Sequence, residues 1–151
     1  MQRSLYWIDP STFQNRHMKT VMLIDDSESD LLFSRIIVNR SGLCDDVLEF
    51  ESATAALEHL RTPAGHEVDM ILLDINMPGM DGFQFLDAYR DLAATQHARA
   101  AVVMLTSSPD PQDRSRAESY GCVRGYVVKP ISVASARELD GLLSSATDGR
   151  G

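Results

Sequence analysis

A chain of 151 residues with 44% apolar content is of one-domain size and has enough material for a single sizeable core. Fourteen basic against 22 acidic side chains leave a net charge of −8, and with no Lys/Arg cluster the electrostatic footprint of nucleic-acid binding is missing. Cys44 and Cys122 stand far apart without CxxC or His spacing, which argues for free thiols in a reducing compartment and against a disulfide framework or a zinc site. The longest apolar stretch near the N-terminus, Leu5 to Ile8, is too short for a signal-peptide core or a membrane span, so a cytoplasmic location away from membranes is expected.

Residues 1–18 show neither helical nor alternating periodicity and read as an N-terminal arm: a mobile extension as the plainer reading, or one whose Leu5, Tyr6, Trp7 and Ile8 dock on a partner or on the domain itself. From Thr20 onward, short runs rich in branched residues alternate with longer amphipathic segments, the pattern of βα units around a parallel sheet. Strands are predicted at 20–24 (TVMLI), 46–50 (DVLEF), 69–73 (DMILL), 101–105 (AVVML) and 124–128 (RGYVV). Helices are predicted near 28–40, 53–61, 82–93, 111–120 and 132–145. In the third, Phe85, Leu86, Tyr89, Leu92 and Ala93 share one face; in the last, Leu139, Leu142 and Leu143 do so. Ser27 with Asp30 three residues on marks one helix start, Asp110 before Pro111 marks another, and Gly121 is expected to stop a helix. Strict alternation of five strands and five helices, without repeats or low-complexity runs, implies an α/β fold: a doubly wound five-stranded parallel sheet in a three-layer sandwich. The domain is expected to span 19–146, with a tail at 147–151 and no second, output domain.

In such a sheet the loops at the carboxyl ends of the strands form the crevice where chemistry is placed. The first predicted strand ends in Asp25 and Asp26, the third in Asp74, the fourth in Thr106, and the fifth in Lys129 followed by Pro130. Three carboxylates against one ammonium leave an uncompensated negative charge, and like charges this close repel by several kcal/mol. A bound divalent cation would cancel it, and oxygen-only ligands without His or Cys favour a hard ion such as Mg²⁺. Asp74 would then be a nucleophile toward a phosphoryl group, its developing charge clamped by metal, lysine and hydroxyl. This explains why the apolar run "MILLD" ends in an acid at the tip of a core strand.

The set Asp25-Asp26, Asp74 within "LLDINMPGMDG", Thr106 within "LTSS", and Lys129-Pro130 within "GYVVKP" resembles the response-regulator receiver domain of two-component signalling, the CheY-like family, over about residues 20–145. The resemblance implies a flavodoxin-like sandwich with strand order 2-1-3-4-5 and a stand-alone phosphoacceptor module that catalyses only its own phosphorylation and autodephosphorylation. By it, Asp74 is the phosphoacceptor, Asp25 and Asp26 hold Mg²⁺ with Asp74 and the backbone carbonyl of Asn76, and Thr106 and Lys129 contact the phosphoryl oxygens. It also implies that Tyr126 is the switch partner of Thr106, its ring swinging inward on phosphorylation, and that Pro130 follows a cis peptide bond. The implied partners are a sensor histidine kinase or histidine phosphotransfer protein, with homodimerisation through the helix 4, strand 5, helix 5 face. Ser107, Ser108 and Pro109 depart from the commonest pattern, which bears on switching amplitude. A longer stretch before Asp74, with an insertion expected in "RTPAGHEVD", is more weakly similar to the regulators that serve bacterial phytochromes.

Taken singly, each of these residues has a plainer reading. Asp25-Asp26 suits a strand-end turn and helix cap, Asp74 before Pro and Gly suits a turn, Thr106 can satisfy a loop amide, and an aromatic such as Tyr126 on a strand normally packs. His17, His59, His66 and His97 show no ligand spacing and default to the surface, while the seven methionines read as core filler. Two other functions share the parts. Haloacid-dehalogenase-type phosphatases also use an Asp nucleophile, but place it after the first strand with the acidic pair last, and Asn76 stands where their second Asp would act as acid-base. An interaction-only pseudo-receiver is disfavoured because every chemical position is intact; a nucleotide-binding module lacks any GxxxxGK[ST] or GxGxxG.

Overall fold

The computed structural model describes residues 5–8, 18–96 and 100–139. The strands are β1 (Leu5–Ile8), β2 (Met18–Ile24), β3 (Cys44–Phe50), β4 (Val68–Asp74), β5 (Ala101–Thr106) and β6 (Val123–Val128). The helices are α1 (Glu28–Ser41), α2 (Ala53–Leu60), α3 (Gly82–Gln96), α4 (Pro111–Glu118) and α5, described over residues 133–139. All five predicted strands are present, each one or two residues longer than its apolar run. The remainder of the last predicted helix, with Leu142 and Leu143, lies outside the described residues, as do His17 and His97.

One sheet orders the strands β1-β6-β5-β4-β2-β3. The five from β2 onward are parallel and, counted among themselves, stand in the expected 2-1-3-4-5 order. Their side chains alternate between two apolar layers, as the period of a strand requires. Val21, Leu23, Met70, Leu72, Val103, Leu105 and Val127 pack with α1 and α5 on one face. Met22, Ile24, Ile71, Leu73, Val102, Met104 and Tyr126 pack with α2, α3 and α4 on the other. The expected inner face of α3 is observed, with Phe85, Leu86, Tyr89 and Leu92 buried.

The caps follow local chemistry. Ser27 accepts from the Asp30 N–H at 3.3 Å, and Asp110 accepts from the Gln112 N–H at 2.9 Å with Pro111 behind it. Gly121, expected to end α4, does not: the helix stops at Glu118 and Ser119 caps it in right-handed geometry, so no left-handed residue is needed there. "RTPAGHEVD" forms a 3₁₀ turn over Pro63–Glu67 that delivers the chain into β4.

Four residues of the arm take the docked alternative rather than the plainer one. Leu5–Ile8 is an ordered strand lying antiparallel on the outer edge of β6, with Leu5 opposite Val127, Trp7 opposite Tyr126 and Ile8 opposite Gly125. An open edge offers a row of unpaired N–H and C=O groups, and this β-prone tetrapeptide takes them up. The rest of the arm lies outside the described residues.

At the start of α3, Gly82 is wedged behind the tip of β4: a Cβ there would lie 2.9 Å from both the Asp74 carbonyl oxygen and the Ile75 Cα. Gly82→Ala is therefore expected to destabilise the fold by roughly 1–3 kcal/mol through backbone displacement. Gly121→Ala, which meets nothing within 4 Å, should stay within about 0.5 kcal/mol of wild type in chemical denaturation.

Candidate functional site

The chain leaves β2 for β3 on one side and returns to β4 on the other, so the loops diverge above the carboxyl ends of β2 and β4 and open a crevice there. Asp25, directly after β2, and Asp74, the last residue of β4, face each other across it, each 4% exposed; Asp26 stands beside them in solvent. Oxygens of the three carboxylates lie within 4.8 Å of one another. The following loop turns through Pro78 and Gly79, whose φ of 77° is the left-handed geometry a type II turn requires at its third residue.

Lys129 enters from β6. Its N–H donates to the Thr106 carbonyl at 2.7 Å, and the Lys129–Pro130 peptide bond is cis. The ammonium donates to Asp25 Oδ2 at 2.8 Å and to Asp30 Oδ2 at 2.8 Å, with Asp74 Oδ1 at 3.4 Å. Asp25 is doubly held, since its other oxygen accepts from the Ser27 N–H at 3.0 Å. The structure thus brings Asp25, Asp26, Asp74 and Lys129 together and adds Asp30, which the sequence presents only as a helix-start residue. The missed signal is spacing: one helical turn beyond a strand-end acid pair returns a side chain to the same crevice.

Burial pushes the Asp74 carboxyl up to about 6, and the neighbouring Asp25 charge adds to the rise, while Lys129 and the Asn76 N–H pull against it. For Lys129, burial opposes the charged form, but bonds to Asp25 and Asp30 together with the Asp74 charge outweigh it and hold the ammonium above its ordinary value. The donor set fits a hard divalent cation: three carboxylates, oxygen-only, with a single ammonium beside them that leaves two negative charges unbalanced.

Thr106 is fully buried, and its hydroxyl is engaged with the loop: it donates to the Ser108 carbonyl at 3.1 Å and accepts from the Ser108 N–H at 3.0 Å. Tyr126 is 1% exposed, with its hydroxyl 3.5 Å from the Asp110 N–H. The ring is thus inside while Thr106 holds Ser108. A cavity of about 470 Å³ lies beside it, lined by Pro109, Arg114, Glu118 and Tyr126 among others. Of the described histidines, His66 is exposed, but His59 is half-buried with its ring 5.4 Å from that of Phe50 and its Nε2 without a partner. No described helix is long and apolar enough to cross a membrane.

A family model, the response regulator receiver domain, matches residues 21–139, and the chain belongs to that family of two-component signalling domains. The polar-differentiation response regulator DivK of Brucella ovis is 30% identical over 115 residues, covering 76% of this chain and 87% of DivK. A two-component response regulator structure from Cytophaga hutchinsonii superposes with a TM-score of 0.76 at 27% identity, covering 88% of this chain and 99% of that one. The bacteriophytochrome response regulator AtBRR superposes at 0.65 with 27% identity, covering 85% and 94%. Among longer curated relatives, the chain spans only 24% and 13% of two proteins it matches.

Because the folded Asp74 carboxyl titrates near 6 and an unfolded one near 4, the native state holds the extra proton between those values. Stability is then lost as pH rises through this window, and the ionised site costs roughly 2–3 kcal/mol at neutral pH without divalent cations. Asp74→Asn should accordingly raise the metal-free melting temperature at pH 7.5 and have little effect at pH 4, as read by thermal denaturation in chelator.

Proposed function

We propose that the chain is a phosphoacceptor signalling module in which Asp74 takes a phosphoryl group from a phosphohistidine. The convergence of Asp25, Asp26, Asp74 and Lys129 at the point where strand order reverses carries this reading. A carboxylate oxygen of Asp74 attacks phosphorus as the phosphorus–nitrogen bond to the donor imidazole breaks, leaving an acyl phosphate on Asp74 and the imidazole free. Asp25, Asp26 and Asp74, with the Asn76 carbonyl, would hold Mg²⁺, which when bound supplies positive charge against the phosphoryl oxygens. Lys129 would supply a second positive charge, and Thr106 would offer its hydroxyl once it leaves Ser108. Hydrolysis of the acyl phosphate by the same site resets the module.

The donor is proposed to be a histidine kinase or histidine phosphotransfer protein. Three large apolar side chains stand out on α1, the helix that opens on the site: Leu32 is 48% exposed and Phe33 and Ile36 each 44%. Exposed apolar surface of this kind marks a docking face, and Phe33 also lines a small cavity with Asp30, Lys129 and Pro130. The signal would leave through the surface of α4, β6 and α5, where Thr106 and Tyr126 border one loop. Homodimerisation through that face would have to include β1, which occupies the edge of β6.

Intact mass after incubation with Mg²⁺ and acetyl phosphate tests the acceptor. Wild type should gain one phosphoryl group, and both Asp74→Asn and removal of Mg²⁺ by chelator should abolish the gain; retained labelling in Asp74→Asn would remove Asp74 as the acceptor. Phe33→Ala is expected to slow transfer from the cognate kinase by about fivefold or more, the scale of one interface anchor, while labelling from acetyl phosphate stays at the wild-type rate.

A further inference from the structure

The crevice holds a fourth carboxylate that the phosphoacceptor scheme does not use. Lys129 has three protons to donate, and two are committed at 2.8 Å, to Asp25 and to Asp30, while Asp74 stands at 3.4 Å. Asp25 is fixed by β2 and by the Ser27 N–H. Asp30 is fixed differently: its backbone is anchored in the first turn of α1 by the Ser27 hydroxyl, and its side chain is 46% exposed. It therefore draws the ammonium toward α1 and solvent rather than toward the acceptor.

Resting on the phosphoacceptor reading, we propose that Asp30 is a positioning residue for Lys129: a carboxylate tether that competes with the phosphoryl group on Asp74 for the ammonium. A phosphoryl group on Asp74 needs the ammonium turned toward its oxygens, and any donation to Asp30 is donation withheld from them. The Asp30 end of the pair is half in water while the Lys129 end is nearly buried, so water screens the contact from one side and the competition is modest and reversible. Asp30 and Lys129 border a cavity of about 190 Å³ together with Ser107 and Pro130, which leaves room for water around Asp30 once the ammonium departs. Asp30 thus sets how tightly the phosphorylated state is held without touching the reacting atoms.

Beryllofluoride, a stable mimic of the phosphoryl group on a carboxylate, reads this directly when titrated at saturating Mg²⁺. Asp30→Asn is expected to bind it roughly two- to fivefold more tightly than wild type, the worth of a half-exposed ion pair. Asp30→Glu should restore the wild-type value, and Glu28→Gln, which removes an exposed acid from the same helical turn, should leave it unchanged. A merely structural role would shift the melting temperature without this pattern. Equal or weaker binding in a folded Asp30→Asn would overturn the tether. Absence of beryllofluoride binding in wild type that still binds Mg²⁺ would overturn the phosphoacceptor reading, and the tether with it.

Discussion

One ammonium, that of Lys129, faces more negative charge than it can neutralise, and the site is organised around that imbalance. Carboxylates reach it from β2, β4 and α1, at distances from 2.8 to 3.4 Å. Lysine and Asp25 are both nearly buried, so their attraction is screened little, yet desolvation costs both partners. The residual charge shows in Asp74, whose carboxyl is driven up by burial and by Asp25 despite the lysine beside it. A phosphoryl group adds still more negative charge at that point. An added cation would close that balance, and the three carboxylates, with oxygens within 4.8 Å of one another, fit one.

Such a cluster is tolerable because it stands at the end of a sheet that cannot slip. Along β2, β4 and β5, neighbouring side chains enter opposite apolar layers, so a shift of one residue would turn every buried chain toward the wrong layer. The register that buries Leu72 and Leu73 is the one that puts Asp74 at the rim. Gly82 adds a second constraint, since only a residue without a side chain lets α3 start so close behind the Asp74 backbone. Core packing thus contributes stability and also holds the Asp74 carboxylate against the charge that repels it.

Much of this was legible in the sequence, for a reason that differs from element to element. Strand tips could be read because apolar runs end abruptly in polar residues, and a parallel sheet sends all such ends to one rim; Asp25, Asp26, Asp74, Thr106 and Lys129 were found that way. Asp30 was hidden because an acid in the first turn of a helix already has an explanation in capping and the helix dipole. Leu5–Ile8 can be read as a docking segment but not as an edge strand, because edge pairing is made by backbone groups and leaves no alternation in four residues. His59, counted as a surface residue, packs on Phe50 because α2 lies over the end of β3, a contact between elements that periodicity along either one cannot show.

The same edge strand limits how a signal could travel. With β5 on one side and β1 on the other, β6 is hydrogen-bonded along both edges, so displacing the strand would break two ladders. The loop after β5 is held more lightly: Thr106 meets Ser108 in two hydrogen bonds, and the far end, at Asp110, meets the Tyr126 hydroxyl at 3.5 Å. Under the proposed scheme, a phosphoryl group that recruits the threonine hydroxyl would first take it from Ser108, and a freed Ser108 would let the loop move while β6 stays in place. Tyr126 is buried beside that loop, bordering the cavity lined by Pro109, Arg114 and Glu118. A shift of Ser107 to Asp110 would therefore break fewer hydrogen bonds than a shift of β6, and it would reach the start of α4 first, over the cavity beside Tyr126.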